Sequence, residues 1–118
     1  YEWKKEGGGK QPYLFHRRDD GLFSLAGLWE EWKAPDGERI QSCTIITTEP
    51  NALAATVHNR MPAILDRNAE ALWLDPASRI PDLVQLLGPY PEDEMEAYPV
   101  PKAVNSPGKD GAEMVVPL

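Results

Sequence analysis

The stretch Ser42-Cys43-Thr44-Ile45-Ile46-Thr47-Thr48-Glu49-Pro50-Asn51-Ala52-Leu53-Ala54-Ala55-Thr56-Val57-His58-Asn59-Arg60-Met61-Pro62 decides how the chain is read. The β-branched run from Thr44 to Thr48 has the composition of a buried strand. A helix start follows at once. Thr48 is placed to cap, Glu49 suits the positive end of the helix dipole, and Pro50 fits the first turn, where its missing N–H costs nothing. Asn51 to Val57 then offers about two turns of small and apolar residues. Met61-Pro62 closes the segment, because the residue before a proline is pushed out of helical geometry. A strand, a short helix and a polar exit carrying an imidazole (His58) and a guanidinium (Arg60) outline the edge of an active site.

Toward the N-terminus, Trp3 to Lys5 reads as a strand end and Glu6-Gly7-Gly8-Gly9-Lys10 as a flexible loop. Gln11 to Arg17 reads as a strand, and Asp19-Asp20-Gly21 as a turn. Leu22 to Trp32 alternates like a strand before a polar and aromatic end. Pro35-Asp36-Gly37 is a turn with a mechanism: proline sets the first corner and glycine supplies the open dihedral. Arg39 to Thr48 returns as the next strand, so the order over these residues is that of a β-meander. Toward the C-terminus, Asp66 caps a helix over Arg67 to Leu74, with Ala69, Leu72 and Trp73 on one face. Pro81 opens another through Leu87, with Leu83, Leu86 and Leu87 inward. Pro91 to Tyr98 is acidic and reads as solvent-facing. Tyr98 to Val104 reads as a proline-interrupted edge strand, and Met114 to Val116 as a last short strand. The class is α+β: a mostly antiparallel sheet or partial β-barrel with two or three short helices, in a single domain over 1–118.

The 118 residues suffice for one domain with its own core, and 42% hydrophobic and 26% charged residues are ordinary for a globular protein. No apolar run approaches the roughly 18–20 residues that span a bilayer. The one cysteine, Cys43, excludes an internal disulfide and a multi-cysteine zinc site, and a reducing, cytoplasmic setting is the expectation. Net charge is −7, which by itself argues against nucleic acid. Its distribution qualifies this: residues 1–65 carry eight Lys/Arg against nine Asp/Glu, and residues 66–118 four against ten. The first half is therefore free to present a local basic face. Tyr1-Glu2-Trp3-Lys4 has the look of the middle of a strand, so the chain is expected to be the C-terminal part of a longer protein.

Each candidate residue has two readings. His58 suits acid–base work beside an anionic ligand, with Arg60 two residues on, or it is a hydrogen-bonded histidine at a helix end. Glu2 beside Trp3 is either a carboxylate held against an aromatic wall or a solvated one. His16, next to Arg17 and Arg18, reads as structural. Cys43 reads as a small buried hydrophobe, and Trp3, Trp29, Trp32 and Trp73 as core more than as a base-stacking platform. Glu92-Asp93-Glu94 with Glu96 reads as a solvated face. No phosphate loop, dinucleotide fingerprint or paired-carboxylate spacing is present.

Taken in order, the motifs resemble the SOS response-associated peptidase (SRAP) family, whose members act on abasic sites in DNA. Tyr1-Glu2-Trp3-Lys4 is similar to its glutamate-tryptophan strand, and Ala26-Gly27-Leu28-Trp29-Glu30 to its central glycine-tryptophan motif. Thr44-Ile45-Ile46-Thr47-Thr48 with Asn51-Ala52 and His58-Asn59-Arg60-Met61-Pro62 is the most specific part. Trp73-Leu74-Asp75, Tyr98-Pro99-Val100 and Val104-Asn105 complete the resemblance, which spans roughly residues 1–106. It implies a DNA-damage response protein that links covalently and reversibly to abasic sites in single-stranded DNA. The link uses the thiolate and α-amine of an N-terminal cysteine, freed by self-processing peptidase activity. It also implies Glu2 and His58 as catalytic acid–base groups, Arg60 as a phosphate contact, and Thr47 and Trp3 as DNA-contacting residues. No cofactor is implied. The partners would be single-stranded DNA and the missing N-terminal segment, in the cytoplasm or on the nucleoid of a bacterium. This chain departs from the pattern in lacking the Cys-Gly-Arg start, and Cys43 has no free α-amine. Two further readings stand beside it: a non-catalytic single-stranded DNA or protein-binding module of the same fold, and an unrelated hydrolase using Glu2 and His58.

Overall fold

The computed structural model describes residues 1–118. In chain order the strands are β1 (Glu2–Glu6), β2 (Gly9–Arg17), β3 (Ser24–Leu25), β4 (Gly27–Lys33), β5 (Arg39–Ile45), β6 (Thr47–Thr48), β7 (Met61–Pro62), β8 (Ile64–Leu65) and β9 (Met95–Pro99). The helices are α1 (Ala52–Ala55), α2 (Arg67–Leu74) and α3 (Ile80–Val84), with 3-10 turns at Glu92–Glu94, Lys102–Asn105 and Ala112–Val115. Short helices and antiparallel sheets without a closed barrel make the class α+β, as the sequence predicts. No helix is long and apolar enough to cross a membrane. The chain divides into two compact units, residues 1–22, 50–61 and 91–118 in one and 23–49 and 62–90 in the other.

The first unit is built on a three-stranded sheet in the order β1-β2-β9. β1 and β2 turn through Gly7 and Gly8 at φ +53° and +83°, the positive values that a two-residue hairpin turn demands of both central positions. The predicted flexible loop is thus a tight turn, and the ladder continues to the Glu6–Gly9 pair. β9 pairs with β2 from Tyr13–Pro99 to Arg17–Met95. The acidic segment expected at the surface therefore carries a strand. Only Glu92–Glu94 is an exposed turn, whereas Met95 is 2% exposed. The strand expected from Tyr98 starts earlier and stops at Pro99, since Pro99 and Pro101 remove ladder donors and Lys102–Asn105 winds into a 3-10 turn. The last predicted strand is a 3-10 turn that buries Met114.

Asn51, not Thr48, caps α1. Its Oδ1 accepts from the Ala54 N–H at 2.8 Å, its own N–H donates to the Met61 sulfur at 3.3 Å, and Nδ2 lies 3.6 Å from the Met95 sulfur. Glu92 Oε2 accepts from the Ala52 N–H at 2.8 Å, so a carboxylate from a distant turn satisfies a second orphan donor. These bonds hold a helix of four residues, shorter than the two turns predicted. In the same unit, Ala54, Met61, Met95, Val100 and Met114 are buried.

In the second unit Asp66 caps α2 as predicted, accepting from the N–H groups of Asn68 (2.9 Å) and Ala69 (2.8 Å). Ala69, Trp73, Leu86 and Leu87 pack on a core of Ala26, Ala63 and Leu65. Leu72, expected on the same face, is 49% exposed. α3 ends at Val84, three residues before the predicted stop. The meander does not form: β2 pairs with β1 and β9, β3 pairs with β8, and only β4 and β5 make a hairpin. That hairpin closes through Pro35-Asp36-Gly37, with Gly37 at φ +92° as its turn requires. The predicted single strand from Arg39 to Thr48 breaks at Ile46, whose N–H donates to Ala26 O at 2.9 Å and whose carbonyl accepts from Ala63 N at 2.9 Å.

Burial is where β4 and β5 depart furthest from expectation. β5 is exposed along its whole length, Cys43 included, and Trp29 and Trp32 are 74% and 56% exposed. A two-stranded ribbon has no second layer within its own pairing, so β-branched and aromatic composition alone does not bury it.

Candidate functional site

His58 leaves α1 with its backbone N–H still donating to Ala54 O at 2.9 Å, so the last helical bond sets where the imidazole starts. Its ring Nδ1 lies 3.2 Å from both the backbone N and the backbone O of Arg60. The two contacts suit different protonation states. A neutral ring protonated on Nε2 accepts from the Arg60 N–H, whereas a ring carrying a proton on Nδ1 donates to the Arg60 carbonyl. One tripeptide, His58-Asn59-Arg60, thus offers the imidazole a backbone partner whether it has gained or lost a proton. His58 and Arg60 are both exposed, which suits contact with a solvated ligand.

Glu2 and Trp3 come from β1, where register places Glu2 opposite Tyr13 and Trp3 opposite Pro12. Alternation along a strand sends their side chains to opposite faces of the ribbon. Both are half-buried. The Trp3 indole N–H donates to Asn105 Oδ1 at 2.6 Å, which fixes the ring from the Lys102–Asn105 turn. Asn105 was not among the predicted site residues. Its only sequence signal is the Val104-Asn105 pair, and nothing local says that it meets a side chain near the other end of the chain. Tyr1 and Tyr98 add to this tethering, their hydroxyls donating to Met114 O (3.3 Å) and Val115 O (2.8 Å).

Glu2, Trp3, His58 and Arg60 all belong to the first unit, whereas Thr47 lies exposed on β6 in the second. His16 is engaged structurally. Its Nδ1 stands 3.0 Å from Asp20 Oδ1, its Nε2 stands 3.8 Å from Glu96 Oε2, and its ring meets Tyr98 edge-on at 5.4 Å. Nearby, a two-pronged hydrogen bond from Arg17, with help from the Gly21 N–H, holds the Asp19 carboxyl below the usual carboxylate range. No group of three or more His, Cys, Asp or Glu is arranged to hold a metal ion.

Residues 1–107 match the family described as SOS response associated peptidase (SRAP). The chain is similar to the abasic site processing protein YoqW of Bacillus subtilis (strain 168), 44% identical over 117 residues, covering 98% of this chain and 52% of that protein. It is also similar to the abasic site processing protein HMCES of Gallus gallus, 34% identical over 139 residues, covering all of this chain and 41% of that one. Among solved structures, a Bacteroides thetaiotaomicron protein superposes with a TM-score of 0.88 at 31% identity, covering 99% of this chain and 52% of the other. The chain thus spans about half the length of the relatives it matches. A family match over most of the chain, agreement in fold, and the motifs around Glu2-Trp3 and His58-Asn59-Arg60 lead to one conclusion: this chain belongs to the SRAP family.

Proposed function

We propose that this chain carries the acid–base and DNA-gripping part of an abasic-site processing protein. The observation that carries the reading is the His58 ring seated on the backbone of Arg60, with a partner for either protonation state, in a family whose relatives are named for abasic-site processing. Both of its compact units are read as parts of one SRAP domain, and a preceding segment of the same protein supplies the nucleophile, an N-terminal cysteine.

The chemistry runs through the ring-opened abasic sugar, which presents an aldehyde. The cysteine α-amine adds to the carbonyl carbon and the carbinolamine loses water. The cysteine sulfur then closes on the same carbon, joining protein and DNA through a thiazolidine. His58 moves the proton that sugar-ring opening and its reversal require. Glu2 takes or returns the proton of the attacking amine. Arg60 grips a backbone phosphate with its planar guanidinium, and Trp3 and Thr47 contact the strand. Cys43 cannot replace the nucleophile, because a mid-chain cysteine has no free α-amine to complete the five-membered ring. Self-processing to free the terminal cysteine belongs to the same proposal.

The test mixes the full-length protein, carrying its native N-terminus, with single-stranded DNA bearing one abasic site, and resolves the products on a denaturing gel. A shifted band that is lost when the N-terminal cysteine is replaced is the expected result. A correctly processed protein that gives no band, yet binds the DNA, turns the reading to a non-catalytic binding module, which the net charge of −7 does not forbid.

A further inference from the structure

The turn of the β1–β2 hairpin gathers positive charge in an otherwise acidic chain. Lys5 and Lys10 stand directly opposite each other in the ladder, one pair from the Glu6–Gly9 closure. Neither takes part in an ion pair, whereas Lys4 is neutralised by Glu6 at 3.2 Å and lies 5.9 Å from the Tyr13 ring centroid. On the opposite face of the ladder, Lys102 from the 3-10 turn that also holds Trp3 brings its Nζ to 4.0 Å from where a Cβ would stand on Gly9. An open concavity of about 470 Å³ lies at this tip, lined by Lys5, Glu6, Gly7, Gly8, Gly9 and Lys10. A Cβ on Gly7 or Gly8 would meet nothing within 4 Å, so the backbone there is open to close approach.

Like charges directly opposite each other destabilise an antiparallel pair. The adjacent carboxylate, Glu6, alternates to the other face of the ladder and is paired with Lys4. Register also sets their direction. Cross-strand partners share a face, so Lys5 and Lys10 project on the same side as Trp3 and its partner Pro12. Trp3 and Lys5 are two residues apart along β1, roughly 7 Å.

We propose that the Lys5–Lys10 pair is a second anchor for the DNA backbone. It would hold a phosphate of the strand flanking the abasic site, on the side that runs from Trp3 toward the hairpin tip. The inference rests on the DNA-binding reading above and extends it to a named subsite. It accounts for a like-charge pair that costs the fold stability. It also supplies the local basic face through which an acidic protein holds a polyanion. The rival explanation is that edge-strand lysines only guard β1 against pairing with other chains.

The two accounts differ in sign and in readout. In the full-length protein, K5Q/K10Q should leave Tm unchanged or raise it, because a repulsion is removed. It should also weaken binding to an abasic single-stranded oligonucleotide about tenfold at low salt. The slope of log affinity against log salt should fall by about 0.7, the value for one phosphate contact on a single strand. K5R/K10R should restore both. The difference from wild type should vanish when the oligonucleotide is cut back on one side of the abasic site and persist when it is cut back on the other. Unchanged affinity and salt slope in a protein that still links to abasic DNA would overturn the lysine anchor and leave the catalytic reading standing. A wild-type protein that binds no abasic DNA would overturn both.

Discussion

At the scale of single residues, His58 and Arg60 are two positions apart, and the proposed function gives them different work. His58 Nδ1 bonds to the backbone of Arg60, not to its guanidinium, so truncating the Arg60 side chain leaves the imidazole's backbone partners in place. H58A should slow linkage or its reversal by about 10²- to 10⁴-fold, the usual range for losing a general acid–base group, with DNA affinity nearly intact. R60A should weaken binding and flatten its salt dependence, with linkage at saturating DNA little changed. Single-turnover gels beside equilibrium binding at several salt concentrations measure both. Two variants that behave alike would refute the division of labour. Trp3 belongs to this scale too. Its hydrogen bond to Asn105 fixes the indole, so the proposed contact with DNA would cost little side-chain entropy.

At the scale of elements, caps and turns carry the local order. Asp66 satisfies two N–H groups at the start of α2, and α2 brings Ala69 and Trp73 onto the small Ala26–Ala63–Leu65 core. Removing the carboxylate leaves two helix donors to water. D66A should therefore destabilise the fold by about 1 kcal/mol, within the 0.5–2 range for cap loss. Denaturant melts would show this as a lower midpoint at unchanged slope. An unchanged midpoint would mean that the cap is replaceable. The cap, the Pro35-Asp36-Gly37 turn and the helical pattern of 67–74 are all legible in the sequence, because each rests on groups within a few residues of one another. The Gly7-Gly8 hairpin is legible in its glycines, although a glycine run alone does not distinguish a flexible loop from a turn held by a continuing ladder. The cap of α1 was misplaced because its support comes from Met61, Glu92 and Met95, far along the chain.

At the scale of the whole molecule, the β4–β5 ribbon stands apart by its exposure. Leu28, Trp29, Trp32, Ile40 and Ile45 are 42–74% exposed, and a lone two-stranded ribbon is marginal in water. If a preceding segment completes the SRAP domain, as proposed, it should cover part of this surface. Acrylamide quenching of tryptophan should then be strong in residues 1–118 expressed alone and clearly weaker in the full-length protein. Equal quenching in the two would sink that account of the ribbon.

The sequence by itself determined what is local or alternating: the α+β class, the strand before Asp19, the α2 cap and the Pro35-Asp36-Gly37 corner. The ordered motifs also pointed to the SRAP family and to Glu2, Trp3, Thr47, His58 and Arg60 as the residues to watch. Only the tertiary structure decided partnership and burial. It brought β9 to β2 in place of a meander and moved Met95 from an acidic surface into a core. It set Asn105 against Trp3 and left Cys43, Trp29 and Trp32 outside. The physical reason is that a dihedral preference is set by a residue and its neighbours, whereas burial is set by whichever distant surface arrives to exclude water. Composition records how strongly a side chain avoids water and says nothing of which surface will shield it.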